Sequence, residues 1–304
     1  MKATFLSLVV AAAIVAGCAP GATSGGPSVA TADRTRYANP DLLIETDQLA
    51  ARLQQPGVRI LDLRGKEKYQ AGHIPGAVLF DTSLLKDPVD KLYAPSPANV
   101  AKIMGEHGIS NETQVIAYDD QGGLWAARLW WVLDYYGHTK AQIVNGGWNK
   151  WTKENRPTDT SVPTVTPATF TPKLNEGVVC ALDYLQSATS RSDVVIVDAR
   201  TAAEYNGTDV RAARGGHVPN AVNIDWQRNV TNDDVKVWKP AAELRQMYES
   251  AGVTPNKEVI TYCQTAVRAA HTLFTLRLLG YKDVRNYDGS WAEYGNRTDT
   301  PIAR

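Results

Sequence analysis

Short apolar runs and longer amphipathic stretches alternate along this chain, and the alternation happens twice. Val58–Leu63 and Val115–Tyr118 in the first half, and Val194–Val197 and Val259–Tyr262 in the second, are strand-length and apolar, as expected of strands covered on both faces of a parallel sheet. A longer helical pattern follows the later strand of each half, at Trp125–Tyr136 and at Val267–Leu279. Strand and helix in alternation predict an α/β fold in which each half is a parallel sheet with helices on both faces.

The two halves are copies. The blocks Ile60-Leu61-Asp62-Leu63-Arg64, Gly72-His73-Ile74-Pro75-Gly76-Ala77, Val115-Ile116-Ala117-Tyr118-Asp119 and Asn145-Gly146-Gly147-Trp148 return in the same order. Their counterparts are Ile196-Val197-Asp198-Ala199-Arg200, Gly216-His217-Val218-Pro219-Asn220-Ala221, Val259-Ile260-Thr261-Tyr262-Cys263 and Asp288-Gly289-Ser290-Trp291. The offset is 136 from Asp62 to Asp198, 144 from His73 to His217, 144 from Asp119 to Cys263 and 143 from Trp148 to Trp291. Such constancy means a duplicated domain. One copy spans residues 37–151 and the other 178–304. Between them, residues 152–177 carry Pro157, Pro163, Pro167 and Pro172 among threonines, which predicts an extended connector.

The first residues have a different character. Met1-Lys2 is followed by an uncharged apolar stretch to Gly17 that is short for a bilayer span and reads as an export signal. It closes on Val15-Ala16-Gly17-Cys18, similar to the bacterial lipoprotein signal, in which the cysteine is lipidated and becomes the new N-terminus. Residues 1–18 are then a signal and 19–36 a Gly/Ser/Thr/Ala/Pro tether. The expected location is outside the cytoplasm, in the periplasm, held to a membrane through Cys18 alone. With 32 basic and 32 acidic residues the 304-residue chain has no net field to recruit nucleic acid. Three cysteines make no disulfide framework, and five histidines form no ligand spacing for a metal.

Cys263 follows its strand directly, at the carboxyl end where ligands gather in parallel sheets. The segment Cys263-Gln264-Thr265-Ala266-Val267-Arg268 joins that strand to a helix start. A loop of this size can turn its backbone N–H groups inward, and these donors, the helix start and Arg268 favour a thiolate nucleophile acting on an anionic substrate. The first copy has Asp119-Asp120-Gln121-Gly122-Gly123 there, read as a solvated loop that has lost its function.

These features together resemble the tandem rhodanese family of sulfurtransferases: the Gly-His-Ile/Val-Pro blocks, the cysteine loop, the closing Asn286-Tyr287-Asp288-Gly289-Ser290-Trp291 and a first copy without a thiol. The resemblance runs from about Tyr37 to Ile302. It implies that Cys263 takes the outer sulfur of thiosulfate, becomes a persulfide and passes that sulfur to cyanide or a thiol, with no metal or organic cofactor. Gln264, Thr265, Ala266, Val267 and Arg268 would form the active-site loop. Phosphatases of related fold keep five residues between cysteine and arginine; here four intervene, a cradle better suited to sulfur than to a phosphoryl group. The loop lacks the Gly-Ser-Gly-type sequence of mercaptopyruvate enzymes and is more similar to those of bacterial thiosulfate sulfurtransferases. Glu204 stands where relatives often place a donor-binding arginine, so Arg211 and Arg214 are expected to line the pocket with Arg268. The alternatives are 3-mercaptopyruvate as donor, or a persulfide carrier that loads once and delivers sulfur to a protein thiol. Asp62, Asp198, His73 and His217 recur in both copies and are read as structural. Trp125, Trp130 and Trp131 are read as core or interdomain packing, and Cys180 as a packed thiol.

Overall fold

In the computed structural model the described residues are 1, 2, 4, 33 and 35–304. The chain divides into Met1–Asp33 and a body, Arg34–Arg304, that holds both copies. Cys18 and the apolar start lie outside the described residues.

The first copy forms β1 (Leu43–Ile44), β2 (Val58–Asp62), β3 (Val78–Leu79), β4 (Gln114–Tyr118) and β5 (Ala141–Val144). The second forms β6 (Val179–Cys180), β7 (Val194–Asp198), β8 (Val222–Asn223), β9 (Glu258–Tyr262) and β10 (Val284–Tyr287). The sheet orders are the same, β1-β5-β4-β2-β3 and β6-β10-β9-β7-β8, and every pairing is parallel. Asp62 pairs with Tyr118 and Asp198 with Tyr262, so the carboxyl ends of the long central strands are level. Asp119 and Cys263 therefore emerge from equivalent places.

Successive side chains on a strand point to opposite faces, and each sheet sorts its residues this way. Leu61, Val115, Ala117 and Ile143 of the first sheet join Val195, Val197 and Val259 of the second in one common core. Ile60, Ile116 and Val144 turn to a separate cluster with Leu49 and Trp151, and Ile196 and Ile260 to another with Leu185 and Trp291. The helices Leu124–Tyr135 and Val267–Leu278, close to their sequence-based limits, supply the common core and pack against each other; Trp130 meets Phe274 edge-on at 5.1 Å between ring centres. The two domains thus share apolar interior. The connector is irregular from Thr160 to Asn175 and runs along the first domain, with Ala168 N–H on the Gly105 carbonyl and Phe170 buried in the common core.

The residues repeated in both halves are the scaffold of each strand end. Arg64 grips Asp62 and the Gly72 carbonyl, Tyr118 donates to Asp62 at 2.6 Å, and the Arg64 guanidinium lies 3.7 Å from the Trp148 ring centre. Arg200, Asp198, Gly216, Tyr262 and Trp291 repeat the arrangement. His73 Nδ1 bonds the Tyr69 carbonyl and His217 Nδ1 that of Tyr205. Trp131 donates to the Val178 carbonyl and packs in the core.

Candidate active site

β9 delivers Cys263 to a buried position, 1% exposed. The chain then turns through Gln264 and Thr265 to Ala266, whose left-handed conformation (φ 60°) caps the helix Val267–Leu278. Ser290, also left-handed (φ 51°), fastens the loop from behind. Its Oγ accepts from Cys263 N–H at 3.2 Å and Ala266 N–H at 3.1 Å, and itself donates to the Tyr287 carbonyl. Trp291 and Ala292 N–H hold the Cys263 and Gln264 carbonyls at 2.9 Å, and Asn286 Nδ2 that of Ala266. What remains is a set of donors without protein partners among the described residues: the N–H groups of Gln264, Thr265, Val267, Arg268 and Ala269.

The first domain indicates what such donors do. Asp119 is not solvated, as the sequence suggested, but 1% exposed, and its carboxylate accepts four N–H groups: Gln121 and Gly123 on Oδ1, Trp125 and Ala126 on Oδ2, at 2.8–3.0 Å. Burial pushes this carboxyl above its usual range although all four bonds oppose the shift. The loop is one residue longer than the Cys263 loop, and Gly123 takes the capping place of Ala266. The old cradle is thus closed by its own anion. From outside, Trp238 of the second domain lies on Gly123, leaving no room for even a Cβ.

Arg268 does not point into an empty pocket. Its Nη1 donates to Glu204 Oε2 at 2.6 Å and its Nη2 to Oε1 at 2.8 Å, a fork-to-fork pair with a carboxylate 1% exposed. Glu204 is fixed by a capping box with Thr201 at the start of the helix Ala202–Tyr205. Burial alone would raise this carboxyl, but the bonds and charge of Arg268, with Thr201, hold it down at about 2. Arg268 stays charged against its own burial through Glu204 and Cys263.

The two further arginines divide. Arg211 reaches the same Glu204 at 3.4 Å with its side chain half exposed, and its carbonyl accepts from Gln264, so it stands at the rim of the loop. Arg214 is not a pocket residue: its guanidinium is spent on the Thr300 carbonyl and hydroxyl and the Tyr294 carbonyl, tying down the C-terminal segment. Carbonyl groups left over at a chain turn need donors, and Arg214 supplies them. Cys180 is a free buried thiol at the end of β6, and burial pushes it up to about 12.

A second layer comes from the first domain and was missed from the sequence. Arg128, fully buried in the helix Leu124–Tyr135, pairs with Asp288 at 2.7 Å and donates to the Leu85 carbonyl at 3.3 Å. Asp288 also accepts Ala94 N–H, and it lies two residues before Ser290. Leu124, at the start of the same helix, packs on the cluster of Ala199, Trp226, Cys263 and Ala269. A lone arginine inside Leu-Trp-Ala-Ala-Arg-Leu-Trp-Trp-Val-Leu was the available signal.

Comparison with known proteins agrees with this geometry. The chain is 38% identical over 264 residues to a thiosulfate sulfurtransferase of Pseudomonas aeruginosa, covering 86% of this chain and 96% of that one. It is 38% identical over 283 residues to the sulfur carrier protein TtuD of Thermus thermophilus, covering 88% and 98%. Among solved structures, the 3-mercaptopyruvate sulfotransferase SseA of Escherichia coli superposes with a TM-score of 0.75 at 30% identity, over 82% of this chain and 98% of that one. The rhodanese-like domain profile matches residues 45–154 and again 181–297. With the duplicated sheet and the repeated strand-end scaffold, these matches make the chain a member of the rhodanese family with two rhodanese-like domains.

Proposed function

We propose that the protein is a thiosulfate sulfurtransferase working through Cys263. The thiolate attacks the outer sulfur of thiosulfate, the S–S bond of the donor breaks, and sulfite leaves with its electron pair. The enzyme then carries a Cys263 persulfide, whose outer sulfur is taken by cyanide or a thiol in a second displacement that restores the thiolate. The observation that carries this reading is the partnerless set of N–H groups from Gln264 to Ala269 around a strand-end cysteine, since it offers charge-assisted bonds to the anionic outer sulfur of the persulfide. The matching nest in the first domain is occupied by a carboxylate, which supports an anion as the natural occupant. Steady-state transfer from thiosulfate to cyanide by residues 19–304, beside Cys263→Ser and with 3-mercaptopyruvate as competing donor, tests it. Turnover with thiosulfate, lost in Cys263→Ser, is expected; turnover with 3-mercaptopyruvate alone would reassign the donor.

The likeness to a sulfur carrier favours a second reading, in which Cys263 loads once and releases its sulfur to a protein thiol. One stoichiometric equivalent of sulfur taken up without catalytic cycling would select it. Export and lipid attachment at Cys18 belong to the same proposal and rest on the Val15-Ala16-Gly17-Cys18 sequence. Labelling by radioactive palmitate, abolished in Cys18→Ser, is the expected result, and unlabelled wild-type protein in the soluble fraction would contradict it.

A further inference from the structure

A sulfur donor such as thiosulfate brings negative charge to a buried thiol, and the arginines of the loop and of its supporting layers already have carboxylate or carbonyl partners. Both arms of Arg268 are on Glu204, Arg211 shares that carboxylate, Arg214 is bound to the C-terminal segment and Arg128 to Asp288. Lys86 is different. It closes the 3-10 turn Thr82–Leu85 of the first domain and is partly buried, and its amine has no hydrogen bond or ion pair among the described residues. The carbonyl just before it is the one Arg128 holds, and Arg128 leads through Asp288 to the segment whose Ser290 fastens Cys263. Burial and the charge of Arg128 press the amine below its usual range, while Cys263 and Asp288 act to keep it protonated.

The duplicated half offers an internal comparison. The turn Trp226–Asn229 is the counterpart of Thr82–Leu85, and the residue that closes it is Val230, buried in the common core. At this one place in the fold the domain without a cysteine therefore carries an ammonium, and the domain that bears Cys263 carries an isopropyl group.

We propose that Lys86, supplied by the domain without a cysteine, is the cation that receives the anionic end of the sulfur donor above Cys263. This rests on Cys263 being the sulfur-accepting nucleophile, and it gives the first domain a direct part in donor recognition.

The test compares wild type, Lys86→Gln and Lys86→Arg, all checked for folding. Alkylation of Cys263 by anionic iodoacetate and by neutral iodoacetamide is followed by mass on the Cys263 peptide, at low and at high salt. The iodoacetate-to-iodoacetamide rate ratio is expected to fall about tenfold in Lys86→Gln, to be restored in Lys86→Arg and to converge with wild type as salt rises. In the transfer assay the same variant should raise KM for thiosulfate by about tenfold, with the loss falling on KM rather than on kcat. An unchanged alkylation ratio in folded Lys86→Gln overturns the role of Lys86. Absence of turnover in all three proteins, with the ratio still falling, would instead leave the anion site standing and remove thiosulfate as its substrate.

Discussion

Glu204 illustrates how one residue resets the chemistry of its neighbours. Read alone, it is a negative charge where a donor-binding arginine would be useful; in the fold it holds the loop arginine in a fixed, two-armed pair. Removing the carboxylate leaves Arg268 largely buried and uncompensated, so Glu204→Gln should destabilise the protein by about 3 kcal/mol in denaturant unfolding. The ordinary carboxyl value near 4.5 falls to about 2 in the folded protein. Its stabilising contribution is therefore complete above pH 4.5 and is lost as the pH drops from there towards 2. Glu204→Gln should be less acid-sensitive than wild type across that window, and parallel acid curves for the two proteins would refute the assignment. The pairing was partly legible: Thr201-Ala202-Ala203-Glu204 is a capping-box sequence. Its meeting with Arg268, sixty-four residues away, depends on the fold. Arg214 was misread for the same reason, because nothing local announces that the chain end will bring unsatisfied carbonyls to it.

At the scale of elements, the long central strands and the two interface helices were legible because their apolar content is dense enough to set a period. The two-residue strands β1, β3, β6 and β8 were not, since two residues carry no period and pairing with a neighbour creates them. The drift of the repeat from 144 to 143 was visible in the sequence, and the fold places it in the loop before the helix, where the first copy has one residue more. The helix Val267–Leu278 also carries His271, fully buried at the domain contact. Its Nε2 bonds the Gly122 carbonyl of the first domain at 3.0 Å, and its ring stacks on Trp238. Burial pushes this histidine down to about 4 although the Gly122 carbonyl opposes the shift. The unfolded chain takes up a proton below pH 6.5 and the folded one does not until about 4, so stability falls across that interval. The contribution of His271 to the loss is roughly 3 kcal/mol. Melting temperature against pH should be flatter between 6.5 and 4 in His271→Gln than in wild type.

The whole molecule joins two domains through one interior. Val195, Val197 and Val259 share a core with Leu61, Val115 and Ile143, and Arg128 of one domain closes on Asp288 of the other. Residues 178–304 expressed alone should thus expose an apolar helix face, aggregate or lose cooperative unfolding, and show no sulfur transfer. Soluble, fully active second domain would mean that the first is dispensable. The duplication itself was plain in the sequence. Which half keeps an open site was legible only in part: the cysteine marks the live half, but Trp238 lying on Gly123 and Asp119 filling its own cradle are facts of packing.

The most direct measurement is the mass of tryptic peptides after the protein meets thiosulfate, and again after cyanide is added. One sulfur atom should be gained on the peptide bearing Cys263, with sulfite released in equal amount, and cyanide should then remove that sulfur as thiocyanate. Sulfur held on Cys180, or turnover that survives Cys263→Ser, would contradict it.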